Sequence, residues 1–91
     1  MERKIRDFDS KEVKDVLVKL TKLIVDVPEN VDCFVNESPN STMFELSVDA
    51  TDYGKLVGKN GQMAIAFRTI MRAIAGTYDK RLLSEISFSK K

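Results

Sequence analysis

The feature that most constrains this sequence is the tetrapeptide Gly58-Lys59-Asn60-Gly61, which separates two segments with helical apolar spacing. Two glycines three positions apart allow positive φ and let a ligand backbone approach closely. Lys59 supplies an ammonium donor and Asn60 an amide. The next helix is expected to begin at Gln62, so its unpaired N–H groups and positive dipole end would face this turn. Such a turn suits a phosphate chain, but the tetrapeptide alone is a weak signal and its meaning depends on the surrounding elements.

Charge is distributed unevenly along the chain. Residues 53–81 carry a net charge of +5 and residues 1–52 a net charge of −5, although the whole sequence sums to +1. Positive charge is therefore concentrated around the glycine tetrapeptide. This distribution indicates that the second half of the chain attracts an anionic partner.

The composition excludes several classes of protein. The 91 residues suffice for one domain, and no apolar segment approaches the roughly 18 residues that span a bilayer. We therefore expect no membrane insertion. Cys33 is the single cysteine, which fits a reducing cytoplasm, and the sequence contains no histidine. We expect no cofactor, no metal and no small-molecule substrate. The sequence contains no catalytic constellation and no Walker motif that would indicate an enzyme.

Apolar periodicity predicts the element order α-β-β-α-α-β. The predicted elements are helices over residues 10–25, 52–57 and 62–75 and strands over residues 31–35, 43–48 and 81–88. Asp9 is the expected N-cap of the first helix and Thr51 that of the second. The first two strands should form an antiparallel hairpin, and the third should lie parallel to the second after a helical crossover. The predicted fold is α+β, with three helices on one face of a mixed three-stranded sheet.

The apolar stripes of the two longer helices define the predicted core. The expected inward-facing residues are Val13, Val16, Leu17, Leu20, Leu23 and Ile24 in the first helix and Met63, Ala66, Phe67, Ile70 and Ile74 in the third. We expect one domain over residues 10–89, preceded by a charged lead-in over residues 1–9.

With a glycine turn between two helices and a hairpin before them, the chain resembles a KH domain of the type II topology. It is most similar to the small single-KH proteins of bacteria known as KhpA or YlqC. The residues that carry the resemblance are the segment 52–61, Ala64, Ala66, Phe67-Arg68-Thr69 and Lys80-Arg81. In element order the resemblance covers nearly the whole chain.

The resemblance implies binding of single-stranded RNA, with the G-x-x-G loop clamping about four nucleotides. The residues that it assigns to RNA are Lys55, Val57, Gly58, Lys59, Asn60, Gly61, Gln62, Ala64 and Arg68. It also implies a homodimer, or a heterodimer with a larger KH-containing protein of the Jag type. The implied role is that of an RNA chaperone or post-transcriptional regulator linked to cell elongation and division.

Two positions depart from the family pattern. Gln62 stands where family members often carry arginine, and Ile65 where they often carry lysine. Both changes remove charge near the expected phosphate path and favour an alternative function, a scaffolding module that uses the KH fold for pairing. Ile65 lies off the predicted core stripe and is a candidate dimer contact, with Met71 or Tyr78 nearby.

Arg68 and Arg72 lie four residues apart on the third helix, away from the predicted core stripe. Two interpretations of this pair stay open. The arginines either form a solvated helical face or supply a supplementary phosphate contact.

Overall fold

The computed structural model of the protein describes residues 9–39, 41–77 and 83–91. Its helices and strands are α1 (Ser10–Lys22), β1 (Asp32–Ser38), β2 (Ser41–Val48), α2 (Tyr53–Val57), α3 (Gln62–Thr77) and β3 (Leu83–Lys90). This order confirms the predicted α+β fold of the type II KH kind. Several predicted features lie outside the described residues. They are residues 1–8 of the lead-in, Tyr78, the Lys80-Arg81 pair and the first two positions of the last predicted strand.

The three strands form one sheet in the order β1-β2-β3. β1 pairs with β2 in antiparallel fashion, which confirms the hairpin, and β2 pairs with β3 in parallel, which confirms the crossover. The register places Phe44 between Val35 and Ile86, and Leu46 beside Phe88. Because side chains alternate along a strand, these apolar residues share one face of the sheet.

The helices cover that face. α1 contacts β1 and β2, whereas α2 and α3 contact β3. Together they enclose a core formed by Val13, Leu17, Val25, Val31, Cys33, Phe44, Leu46, Val48, Leu56, Phe67, Met71 and Ile86. On the opposite face of the sheet Phe34 and Met43 are exposed, so the fold buries one side of the sheet.

Helix α1 begins at the predicted residue but ends at Lys22, three residues before the predicted end. The Asp9 carboxylate accepts the backbone N–H groups of Lys11 and Glu12 at 3.1 and 3.3 Å, which confirms it as the N-cap. The chain then leaves the helix in a turn that brings Val25 into the core.

The apolar stripe predicted for α1 is too wide. The buried row is Val13, Leu17 and Thr21, whereas Leu23 is 85% exposed and Val16 is also exposed. A threonine occupies the buried row because its hydroxyl donates to the Leu17 carbonyl oxygen at 2.7 Å and is thereby satisfied. The fully buried residues of α1 thus form an i, i+4, i+8 row whose last member is polar, and the predicted Leu20 and Ile24 pack partly buried beside it.

The stripe predicted for α3 is rotated relative to the observed one. Of the predicted residues, Phe67 is buried and Met63 and Ile74 pack partly buried against the core, while Ala66 and Ile70 are exposed; Ala64 and Met71 are buried in their place. The apolar residues of this helix cover about half of its circumference, so the periodicity did not determine which part of that wide face turns inward.

The cap predicted before α2 is also wrong. Asp49, not Thr51, caps the turn Ala50–Asp52 that leads into α2. Its carboxylate accepts the backbone N–H of Thr51 at 3.0 Å and the side-chain amide of Asn30 at 2.9 Å. Hydrogen bonds from the Thr51 hydroxyl, the Thr51 N–H and Asn30 hold the pKa of Asp49 below its usual value.

Asp52 connects the start of α2 to the chain segment that follows α1. Its carboxylate is 1% exposed and accepts the backbone N–H groups of Asp26 at 3.0 Å and Val27 at 2.9 Å. Charge-assisted bonds of this kind are among the stronger hydrogen bonds in proteins. Asp52 therefore fixes where α2, and the glycine turn behind it, lie on the sheet.

Candidate nucleic-acid interface

Residues 58–61, hereafter the glycine turn, connect α2 to α3 through a backbone with three positive φ angles. The values are +83° at Gly58, +57° at Asn60 and +72° at Gly61. The Gly58 N–H donates to the Gly54 carbonyl oxygen at 2.8 Å, and the Gly61 N–H donates to the Gly58 carbonyl oxygen at 3.1 Å. Both side chains between the glycines are exposed. The turn thus presents two polar side chains on a backbone that is held in place.

The two glycines of this turn are required for different reasons. A Cβ at Gly58 would lie 2.7 Å from both the Cβ and the backbone nitrogen of Met63, so the start of α3 leaves no room for a side chain. A Cβ at Gly61 would meet nothing within 4 Å, and only the positive φ favours glycine there. Gly58 therefore sets how closely the turn packs against α3.

An open groove of about 540 Å³ lies beside the glycine turn, between α2, α3 and β3. The residues that line it are Tyr53, Val57, Gly61, Ala64, Ile65, Arg68, Ile86, Ser87 and Phe88. Its lining combines small, aliphatic and aromatic side chains with an arginine, and β3 is an edge strand of the described sheet. Such a surface can accept planar apolar groups while cations at its rim hold an anion.

Two cations stand against aromatic rings along this groove. The Arg68 guanidinium carbon lies 5.7 Å from the centre of the Phe88 ring, and Phe88 in turn packs on Phe67 with ring centres 5.8 Å apart. The Lys90 ammonium lies 5.7 Å from the centre of the Tyr53 ring. These distances are typical of cation–π contacts, which restrict where a long side chain can move.

The comparisons with known proteins show which family the chain belongs to. The sequence model of the KH domain of KhpA and KhpB matches residues 14–86. The chain belongs to the KhpA/KhpB KH-domain family.

Curated relatives cover the same part of the chain. The RNA-binding protein KhpA of Listeria monocytogenes is 34% identical over 74 residues, which are 81% of this chain and 97% of that protein. RNA-binding proteins KhpA of Clostridium perfringens and Aquifex aeolicus are 38% and 36% identical, each over 81% of this chain and 99% and 94% of their own lengths. The family assignment thus applies to nearly the whole of each relative.

A solved structure shares the fold at low sequence identity. It is a crystal structure of Era in complex with MgGDPNP and nucleotides 1506–1542 of 16S ribosomal RNA, with a TM-score of 0.54 and 13% identity. The match covers 99% of this chain and 37% of that chain. At this identity the likeness concerns the arrangement of helices and strands.

The structure brings together most of the residues that the resemblance to KhpA assigned to RNA. Val57, Gly61, Ala64 and Arg68 line the groove. Gly58, Lys59, Asn60 and Gln62 adjoin it in the glycine turn and at the first position of α3. Their role in RNA contact stays a prediction, but all eight share one continuous region.

Lys55 differs from the other predicted residues. Its ammonium pairs with the Asp26 carboxylate, and the residue is absent from the groove lining. Both side chains are substantially exposed, so this ion pair contributes little to stability. A contact between Lys55 and RNA would share the ammonium with the Asp26 carboxylate or displace it.

Ile65 is exposed as predicted, at 57%, and it lies in the groove. The proposed neighbour Met71 is 1% exposed and cannot share a surface patch with it. The reason is the rotation of α3 described above, which turns Met71 into the core. A dimer contact through Ile65 stays a prediction and would occupy the same groove.

Sequence reasoning missed four groove residues, Tyr53, Ile86, Ser87 and Phe88, and it also missed Lys90, whose ammonium lies over the Tyr53 ring. Ile86, Phe88 and Lys90 share one face of β3, so alternation along the strand was the signal that could have identified them. Tyr53 gave no comparable signal, because its position depends on how α2 packs beside β3.

Within the described ranges, no cluster of three carboxylate, thiol or imidazole side chains is placed to hold a metal ion. Over those same residues, no helix combines the length and apolar character that crossing a membrane requires.

Proposed function

We propose that this protein binds single-stranded RNA without catalysis, by clamping the sugar–phosphate backbone at the glycine turn. The observation that carries the proposal is the conformation of Gly58, where a side chain would collide with Met63, beside a groove that ends at this turn. The names of the curated relatives, RNA-binding protein KhpA, support it.

The proposed clamp combines backbone and side-chain groups. The Lys59 ammonium and the Asn60 amide would contact phosphates that approach the turn. The N-terminus of the 16-residue helix α3 adds a positive dipole end directed toward the same anions. Because Gly61 leaves open space where a side chain would stand, the RNA backbone can come close.

The groove would receive the bases. Val57, Ala64 and Ile86 offer an aliphatic surface, as KH domains use where other RNA-binding modules use aromatic platforms. Arg68, held against the Phe88 ring, can stack on a base or pair with a phosphate. β3 lies at the edge of the described sheet, so its outward backbone groups can hydrogen-bond to base edges.

In the cell, the proposed role is that of an RNA chaperone or post-transcriptional regulator in the cytoplasm, linked to elongation and division. A reducing compartment fits the free thiol of Cys33. The proposed protein partner is a second copy of this chain or a larger KH-containing protein of the Jag type.

The decisive experiment replaces both side chains of the clamp by aspartate. Lys59→Asp with Asn60→Asp lowers the charge by three and should weaken binding of a fluorescent single-stranded RNA about 100-fold, since two contacts worth about 1.5 kcal/mol each become repulsive. The matched control, Lys19→Asp with Lys22→Gln on α1, lowers the charge equally and should stay within a few-fold of the parent. Retained affinity in the first variant, with an unchanged circular dichroism spectrum, contradicts the proposed clamp.

The exposure of Ile65 favours a second candidate function, in which the groove side of α3 pairs with another protein molecule. Ile65→Lys separates the two candidates because it adds a cation and removes an apolar contact. If the groove serves RNA, affinity should rise about two- to fivefold, as one phosphate contact is gained. If it serves pairing, sedimentation should show loss of the dimer, and RNA affinity should not increase.

A further inference from the structure

The groove does not end at Arg68. A second cavity of about 350 Å³ continues from it and is lined by Arg68, Met71, Arg72, Glu85 and Ile86. The two cavities share Arg68 and Ile86. We call the second cavity the arginine pocket.

The shared residues place the groove and the arginine pocket in line along the same pair of elements. At the end near the glycine turn, Ala64 of α3 and Phe88 of β3 line the groove, whereas Arg72 and Glu85 line the far end of the pocket. Arg72 follows Arg68 by one helical turn, a rise of about 6 Å. A strand that lies in the groove and continues past Arg68 would therefore reach Arg72.

The charged groups of the arginine pocket are available to a ligand. Arg72 and Glu85 are both exposed, and within the described part of the chain neither forms an ion pair. A guanidinium binds phosphate through paired donors and also stacks on bases. A carboxylate repels phosphate but accepts a hydrogen bond from an exocyclic amino group, as acidic side chains do with N4 of cytosine.

We propose that the arginine pocket binds one further nucleotide of the strand held by the glycine turn, beyond the four expected in the groove. Arg72 contacts its phosphate, and Glu85 accepts a hydrogen bond from the amino group of its base. The pocket thereby prefers cytosine to uracil at that position. This inference rests on the proposed RNA-binding function.

The test uses fluorescent oligoribonucleotides of four to eight residues, extended from a common tetranucleotide at either the 5′ or the 3′ end. Because the pocket adjoins one end of the groove, extension in one direction should raise the affinity of the parent protein about fivefold, and extension in the other direction should raise it less. Arg72→Gln should abolish this gain while tetranucleotide affinity stays within about twofold. The matched control Lys22→Gln, which removes one cation from α1, should keep the gain.

A separate variant tests the preference for cytosine. Cytosine at the added position should bind about threefold better than uracil, and Glu85→Gln should remove the difference. Equal gains in the parent and in Arg72→Gln, or an affinity that does not change with length beyond four nucleotides, would overturn the inference while the clamp at the glycine turn stands. Absence of binding at every length would overturn the proposed function itself.

Discussion

The two edges of the sheet are both flanked by basic side chains, but they differ in what holds those side chains in place. Beside β1, a cavity of about 370 Å³ is lined by Lys14, Lys19 and Lys22 of α1 together with Asp15, Val18, Val31, Asp32 and Cys33. Beside β3, the cations include Lys59 in the glycine turn, Arg68 against the Phe88 ring, Arg72 in the arginine pocket and Lys90 against the Tyr53 ring. The numbers of cations are similar, whereas the structures that carry them are not.

This difference indicates that backbone geometry, more than the number of cations, distinguishes the candidate site at the β3 edge from the β1 edge. The β1 edge consists of a regular helix beside a strand, and its lysines are flexible ammonium groups on a helix surface. At the β3 edge, three positive φ angles give the glycine turn a specific backbone conformation, and aromatic rings restrict two cations. We therefore expect RNA binding and backbone strain to be concentrated on the β3 side.

The largest expected effect comes from adding one methyl group at the glycine turn. Gly58→Ala places a Cβ 2.7 Å from Met63 at a φ of +83°, which should cost about 3 kcal/mol of unfolding free energy and most of the RNA affinity. Gly54→Ala, where a Cβ meets nothing within 4 Å, is the control and should be neutral or stabilising by about 0.5 kcal/mol. Urea unfolding and RNA titration measure both, and equal stability of the two variants would contradict the assigned role of Gly58.

Asp52 connects the start of α2 to the segment that follows α1, and its substitution should give the next largest effect. Asp52→Asn keeps one acceptor for the N–H groups of Asp26 and Val27 and places an amide donor against the other, so unfolding free energy should fall by about 2–3 kcal/mol. The control Asp26→Asn removes only the exposed ion pair with Lys55 and should cost less than about 1 kcal/mol. Thermal unfolding, monitored by circular dichroism, tests which variant loses more stability. A larger loss for Asp26→Asn would show that Asp52 does not connect the start of α2 to the segment after α1.

Cys33 on the β1 side reports whether that edge stays packed. Burial raises the pKa of its thiol to about 11, with a smaller lowering by Lys14 and a smaller raising by Glu45. At pH 8 the folded protein should thus react with iodoacetamide about 100-fold more slowly than the protein in urea, because the thiolate is the reactive form. Similar rates in the two conditions would mean that the β1 edge opens readily.

The smallest expected effect compares one cation from each edge. Arg68→Gln should weaken RNA binding about five- to tenfold, because it removes a guanidinium that Phe88 holds in the groove. Lys14→Gln, at the β1 edge, should change affinity less than about twofold at moderate salt. Fluorescence anisotropy at two salt concentrations measures both. Equal losses would show that overall charge governs binding and would remove the distinction between the edges.

The fold was predictable from local patterns. Asp9 marked the start of α1, and alternation along β2 identified the hairpin. The glycine turn was predictable because it interrupts two helical segments, and its place beside α3 follows from its position in the chain. These signals arise within a few residues of the elements that they define.

Features that depend on packing between distant segments were not predictable. Met71 lies in the core because the buried face of α3 is rotated from the predicted one, and the wide apolar face of this helix left that rotation open. The partners of Asp52 lie 25 and 26 residues earlier in the chain, so its sequence neighbours gave no sign of these hydrogen bonds. Likewise, Lys90 joined the candidate site only once β3 lay parallel to β2.

The position of β3 affects when a binding-competent surface can form. β3 follows the glycine turn in the chain and supplies one wall of the groove through Ile86 and Phe88. During synthesis the turn would therefore leave the ribosome before the surface beside it is complete. A fragment that stops at Thr77 would carry every residue of the clamp, yet it would offer RNA only half of a binding surface.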